Sequence, residues 1–544
     1  NNNQMVYFMN TYEKLLGENK LALILVVSII ASSLIFPIPF EASAAGATIY
    51  VPDDYSTIQD AITNAASGDT IILRSGHINR DPIIIDKQLT LRGEDKYSSM
   101  IDGMGDYDAV MILAAGVILT DLTIYNCTDE GIYVGNTFNT TIENCIIYDV
   151  YDGITVYDSD NTVINNCEIY GCTYSGLYAY LANNLTIMNS EMYMIDAYSV
   201  YYDSCRNVVF SNIDVHHNTY GIYVSGSLDI TLEDSHIYNS TSTSDAVSFY
   251  NSHRVTMYNC TVYNNTSYDA IEVGVCDFVT LIDNKVLDNQ GRGIYMRACD
   301  DSRVLGCEVS NNEWTGIYVY HSHNFLISDC SVYDHEGSPG IKLEGSDSIR
   351  IKNTSSYLCG DGLSIDSSDK VTVCESSFYD NSDDGIDTYG AVNLYLMGTS
   401  LTNNTDEGIE FDGSQGVMVF CNISENQRGI DSYNSVLEAL SCNFEDNTDY
   451  GVYADTNSDV NATHSWWGNT TGPYNYANNP FGTGDKVSDP VRFEPWETEP
   501  TQPRDLISNL RCHRYQLDWR IIYPDDETPK PLGCGAAMVS DWLA

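Results

Sequence analysis

The chain has 544 residues and a formal net charge of −51, from 76 acidic and 25 basic side chains. A field of that sign excludes nucleic acid as a partner, repels anionic polysaccharides unless cations bridge them, and attracts hard cations such as Ca²⁺. With 43% hydrophobic residues and 41 tyrosines, the composition is that of a folded chain, not a disordered one.

Residues 1–44 read as a secretory signal peptide. Lys14 and Lys20 precede the apolar run Leu21–Phe40, and Ala42-Ser43-Ala44 supplies a small-residue cleavage site. A secreted or cell-surface location follows, with no membrane span after cleavage; an uncleaved anchor is the alternative reading of the same run. Sequons at Asn139, Asn184, Asn239, Asn264, Asn403, Asn461 and Asn469 fit a glycosylated surface protein.

Residues 45–116 read as an N-terminal cap and first irregular coils. The spacing Ser56 to Gln59 predicts a capping box opening an amphipathic helix that runs to about Ala66 and plugs an exposed sheet edge. The segments 71–73, 83–85 and 89–91 read as the first strands.

Residues 117–465 repeat. GIYV stands at Gly131–Val134, Gly221–Val224 and Gly316–Val319, with variants between and beyond. The small residue opening each unit stands at 131, 153, 176, 197, 221, 246, 270, 293, 316, 340, 362, 385, 408, 429 and 451, a period of about 23 residues, which means a solenoid. Apolar residues alternate with period two, as in Ile132 and Val134 around Tyr133, and Leu185 and Ile187 around Thr186. That is the strand period, so each coil holds about three short strands separated by Gly, Asn, Asp and Ser turns.

Columns between coils support the stack. Asn144, Asn166, Asn189, Asn212, Asp234, Asn259, Asp283, Asp329 and Asn353 occupy one turn, which predicts an amide ladder. The next position is small, Cys or Ser, as in Cys145, Cys167, Ser190 and Cys260. The spacing reads most of the 16 cysteines as reduced core fillers, against the disulfides that export would suggest. Tyr148, Tyr170, Tyr193, Tyr238, Tyr263, Tyr333, Tyr357 and Tyr379 form an aromatic stripe.

The pattern G-[IVL]-x-V…N-x-x-I-x-N-[CS] resembles the right-handed parallel β-helix repeat proteins, which include pectate-lyase-like enzymes and NosD-type periplasmic and surface proteins. The resemblance covers about 48–497 and implies an all-β, single-stranded right-handed parallel β-helix with an N-terminal capping helix. Residues 466–497, with Trp466, Trp467, Phe493 and Trp496, read as a C-terminal aromatic cap. Residues 498–544 read as a Thr/Pro/Glu linker and a truncated segment resembling the opening strands of a fibronectin type III domain, in which Cys512 and Cys534 could pair.

A packed β-helix offers its chemistry on outward columns, and three stand out. The first is acidic: Asp361, Asp384 and Glu407 precede successive repeat anchors, Asp387, Glu410 and Asp431 lie two beyond, Asp366 and Asp412 four beyond, and Asp383 and Asp406 stand beside them. Asp384 and Glu407, with Asp387 and Glu410, are candidate catalytic carboxylates, since crowded acids separate into an acid and a base. The same patch, with Asp361, Asp383 and Asp412, is a candidate Ca²⁺ site; no cofactor is expected to be required. A solvated acidic face is the structural reading. Polygalacturonase and alginate-epimerase signatures are absent or out of order, since Arg350-Ile351-Lys352 precedes Asp383-Asp384.

The second is soft. Cys276 and Cys299 share a column on adjacent coils, with His253 and His323 near it, a set suited to Cu or Zn. The third is aromatic: Tyr133, Tyr178, Tyr223, Tyr295 and Tyr318 face outward with Tyr157, Tyr180, Tyr201, Tyr250 and Tyr320 beside them, a surface suited to sugar rings. Three functions follow. One is a β-helix protein that binds a polysaccharide or cell-envelope glycan or builds the envelope. Another is a polysaccharide hydrolase, lyase or epimerase using the acidic patch. The last is copper handling, which the NosD resemblance implies.

Overall fold

The computed structural model describes residues 46–105, 107–241 and 244–501. The signal-peptide reading, and the Cys512–Cys534 pairing, fall outside them. Among the described residues no helix is long and apolar enough to cross a membrane.

The chain winds into a parallel solenoid of about 18 turns with about 23 residues each. Each turn places one strand in each of three parallel sheets. Sheet I holds the GIYV strands, such as Glu130–Gly135, Asp152–Tyr157 and Ser175–Tyr180. Sheet II, with 19 strands, runs from Thr48–Val51 to Asp459–Asn461. Sheet III holds three-residue strands such as Ile146–Tyr148 and Glu168–Tyr170. Register is kept rung on rung: Ile132 pairs with Ile154 and Ile154 with Leu177. Alternation sends Ile132 and Val134 fully inside while Tyr133 stays half-buried on the outer face.

The repeat anchors hold in register on every coil but one. Leu177 pairs with Val200, so Ser199, not Ala197, follows Gly176 in the column. Gly recurs there for close approach, not for a left-handed backbone. A Cβ on Gly385 would lie 2.5 Å from the carbonyl oxygen of Gly408 on the next coil.

The corners explain the asparagines. Asn144, Asn166, Asn189, Asn212 and Asn259 all have φ between 49° and 53°, a region that Asn tolerates better than other residues with a Cβ. Their amides form the expected ladder: Asn166 donates to Asn144 at 3.0 Å, Asn212 to Asn189 at 2.9 Å and Asn259 to Asp234 at 2.7 Å. Asn189 departs from it and donates to Asn165. The Cys and Ser column is buried beside it, and all cysteines among the described residues are buried free thiols. On sheet III, Tyr125, Tyr148, Tyr170, Tyr193, His216, Tyr238 and Tyr263 stack face to face at 4.8–5.3 Å.

The N-terminal plug differs in detail from the sequence reading. The helix spans Ile58–Asn64 and its cap is Thr57, whose side chain accepts from the Asp60 amide. Gln59 serves the sheet instead: its side-chain amide accepts from Ile84 N–H at 2.8 Å and donates to Ile84 C=O at 3.4 Å. It thereby stands in for a missing strand at the open edge of sheet I. Gln59→Ala is expected to cost about 1 kcal/mol and to speed hydrogen exchange of the Ile84 amide. Unchanged exchange there would refute the edge-pairing role. At the other end Trp467, fully buried, stacks on Phe444 at 4.6 Å and closes the core.

Candidate functional site

Sheet I carries the outward columns singled out in the sequence, and register places them side by side. Gly385 follows Gly362 and precedes Gly408, so Asp361, Asp384, Glu407 and Arg428 form one column just ahead of the strands. Ser364, Asp387, Glu410 and Asp431 form the next, and Asp366, Tyr389, Asp412 and Tyr433 the third.

The acids are drawn together by backbone as well as register. The Glu407 amide donates to Asp384 Oδ1 at 2.8 Å, and the Asp384 amide to Asp361 Oδ1 at 3.3 Å. Two overlapping triads result, Asp361–Asp383–Asp384 and Asp384–Asp387–Glu410, each with one carboxylate oxygen per residue all within 4.8 Å of one another. Asp412 joins neither; it is exposed on the third column.

Burial, at 4% exposure for Asp384, and the charges of Glu407 and Asp361 push the Asp384 carboxyl up to about 9. Burial and the Asp406 charge push Glu407 up to about 7. Burial and Asp387 raise Glu410 to about 7 and Asp361 to about 6. Both carboxyls are thus held above the usual carboxylate range, Asp384 the more strongly of the two. Arg428 closes the patch on its C-terminal side, 3.7 Å from Glu407 and hydrogen-bonded to Asp431.

Two further acidic groups on the same face lie outside the sequence reading. Asp108, Asp129 and Glu130 form a third triad, in which burial and Asp108 push Glu130 up to about 9. Asp245 is likewise held up to about 9 by burial and a hydrogen bond to Glu272. Both precede repeat anchors, so the signal was the column position already used for Asp384.

The tyrosines do form a row. Tyr178, Tyr201 and Tyr223 stack at 5.6 and 5.3 Å, and Tyr295 meets Tyr318 at 5.1 Å. Tyr201 belongs within this column, paired with Tyr178 and Tyr223, not beside it. Tyr133 lies at its N-terminal end opposite Thr155, and Tyr320 lies in the outer column opposite Arg297. The ring faces cover one another, so a ligand meets ring edges and hydroxyls.

The soft set is not assembled. Cys276 and Cys299 are fully buried, their thiols donating to the carbonyls of Gly274 and Val273 at 3.2 Å, and burial pushes both up to about 12. Ser252 and Ser322, not His253 and His323, continue their column. The two histidines face solvent beside Asp277 and Asp300. A strand turns alternate residues to opposite faces, so neighbours in sequence cannot share this site.

A parallel solenoid with an open, chemically varied outer face defines a class, and the sequence places the chain within it. The chain belongs to the right-handed β-helix family, whose model, a right handed beta helix region, matches residues 42–192, 175–338 and 315–467. No curated protein matches it. Similar solved structures include an alginate lyase from Paenibacillus sp. str. FPU-7, at 15% identity and a TM-score of 0.36, covering 50% of this chain and 97% of that one. Another is the A-module of a mannuronan C-5 epimerase from Azotobacter vinelandii, at 12% identity and a TM-score of 0.26, covering 85% and 98%. A surface adhesin of Streptococcus pneumoniae matches at 12% identity and a TM-score of 0.34, covering 61% and 90%. At these identities and scores no activity is carried over.

Proposed function

We propose that this is a cell-surface or secreted β-helix protein that holds a polysaccharide or envelope glycan along the outer face of sheet I. The observation that carries this reading is the tyrosine column, Tyr178–Tyr201–Tyr223 and then, past Ser248 and Glu272, Tyr295–Tyr318, on one sheet with Asp and Arg side chains beside it. Rigid aromatic side chains with polar tips supply contact area at low entropic cost, and a straight column of rungs matches an extended chain of sugars. Ca²⁺ would sit in the two overlapping carboxylate triads, where hard oxygen ligands converge. Tyr178→Ala with Tyr201→Ala is expected to weaken retention on a glycan-containing affinity gel about tenfold, with Asp384→Asn leaving it within about twofold. Equal retention of the tyrosine double variant and the parent would refute the reading.

A second reading, a polysaccharide hydrolase, lyase or epimerase, is favoured by the separation of Asp384 and Glu407 into a protonated acid and a group poised near neutrality. That is the division of labour an acid–base pair needs. Purified protein would be followed for new reducing ends and unsaturated products on neutral and uronic polysaccharides, with Ca²⁺ and with chelator. Turnover abolished by Asp384→Asn and by Glu407→Gln would establish the enzyme. No turnover on any substrate would retire it.

A further inference from the structure

One outward column of sheet I is aromatic at two places, first at Tyr151 and Tyr174, whose rings stack on each other at 5.1 Å, and again midway along the sheet. There Tyr268 and Trp314 occupy the position two before the repeat anchors Ala270 and Gly316, with Ala197, Thr219 and Ser244 on the coils before and Ser338, Gly360, Asp383 and Asp406 on the coils that follow. Between the two aromatics the column carries Gly291. A Cβ there would fall 1.8 Å from the carbonyl oxygen of Tyr268, so only glycine fits. With no side chain between them, the two rings lean together over the gap and meet edge to face at 5.0 Å and 87°. They remain 50% and 40% exposed. Two large rings set side by side and left open at a polar rim offer a contact surface.

Arg292 forms the floor of this nook. Its guanidinium lies 4.9 Å from the Tyr268 ring centre, 3.7 Å from Tyr295 and 5.6 Å from Tyr318. Asp269, 1% exposed, fixes it through Nε and through Nη2, the latter at 2.9 Å. The cations around it are each matched: Arg297 lies 3.7 Å from Glu272, and Lys342 lies 3.0 Å from Glu344. Tyr318 donates to Glu344 at 2.5 Å. On a chain of net charge −51 this is a locally balanced spot.

We infer that Tyr268, Trp314 and Arg292 form a dedicated subsite for a neutral sugar residue of the bound polysaccharide. Exposed ring surface takes the C–H face of a pyranose, and the Tyr268 hydroxyl and the part-exposed guanidinium of Arg292 meet its hydroxyls as acceptor and donor. An anionic sugar gains nothing here, because every cation already has a carboxylate and the surrounding field repels it. The inference rests on the proposed glycan-binding function and adds the sugar class and the anchoring residues.

The test is affinity electrophoresis of the whole protein in chelator, through gels containing a neutral β-glucan, a neutral galactomannan or sodium alginate. Retardation is expected on a neutral polymer and not on alginate. Trp314→Ala and Tyr268→Ala are each expected to weaken it about tenfold without lowering Tm, since both rings lie outside the core, while Trp314→Phe stays within about threefold. Retardation of the parent with both alanine variants unchanged would overturn the subsite and leave the tyrosine-column reading standing. Retardation only on alginate would overturn the neutral-sugar assignment. Retardation on none of the three would overturn the subsite and the glycan-binding function together.

Discussion

Asn404→Ala is expected to destabilise the protein by about 3 kcal/mol, read as a fall in the urea midpoint. Asn404 lies in a second amide ladder, distinct from the exposed one at the corners. It is 3% exposed. Its Oδ1 accepts from the side chain of Asn381 at 2.9 Å and from that residue's backbone amide at 3.2 Å. Its Nδ2 donates to Asn426 at 3.0 Å and to the Phe378 carbonyl at 3.3 Å. Asn426 continues to Asn447, which ends the ladder on Asp485 at 2.7 Å. Removing one link strands buried donors and acceptors on both neighbouring coils. Asn403→Ala is the control. Asn403 is adjacent in sequence, stands at φ 56°, and donates to Asp380 at 2.6 Å at the surface. It is expected to cost about 1 kcal/mol, mainly for placing alanine in a left-handed conformation. Equal costs for the two would show that the inner ladder carries no special weight.

That pair also marks what the sequence could and could not convey. Asn403 and Asn404 look alike as turn residues, but one is a solvent-facing corner and its neighbour is a core hydrogen-bonding link. Nothing in a two-residue polar turn says which asparagine points inward, so only the outer ladder was legible. The coil that slipped has a similar cause. Ser199-Val200-Tyr201-Tyr202 places Val200 and Tyr202 inside, and Tyr202 is fully buried with its hydroxyl unpartnered. A tyrosine at a core position breaks the aliphatic alternation, and Ala197 then looks like the better anchor. The acidic patch was legible because it needs only column positions on a sheet whose register the repeat already sets. Its internal geometry was not: the backbone amides of Asp384 and Glu407 each bind the carboxylate one rung below, which no spacing reveals. The copper set failed on the same alternation that made the strands recognisable.

Raising the pH from 5 to 9 in chelator is expected to lower Tm, and Ca²⁺ is expected to restore it. The carboxyls of Asp361, Glu407, Glu410 and Asp384 are raised in the folded protein to about 6, 7, 7 and 9. In the unfolded chain they titrate near 4. Between those limits the native state binds more protons than the unfolded one. The stabilisation is full below about pH 4 and is lost as the pH climbs through the folded values. Global repulsion in a chain of net charge −51 has the same sign, so the parent's pH profile alone does not isolate the patch. Asp384→Asn does. It removes the most strongly raised carboxyl at a position only 4% exposed, keeps an oxygen to accept from the Glu407 amide, and leaves the other charges in place. The variant is expected to match the parent below about pH 4 and to exceed it in Tm by a margin that widens up to pH 9. Ca²⁺ at a hundred times its dissociation constant would stabilise the parent by about 2.7 kcal/mol, and the variant by less, because Asp384 belongs to both triads. A Tm for Asp384→Asn that falls below the parent's at pH 9 would mean that the carboxylates are held together by something other than shared protons. Calcium stabilisation that survives the substitution undiminished would place the cation elsewhere on this acidic surface.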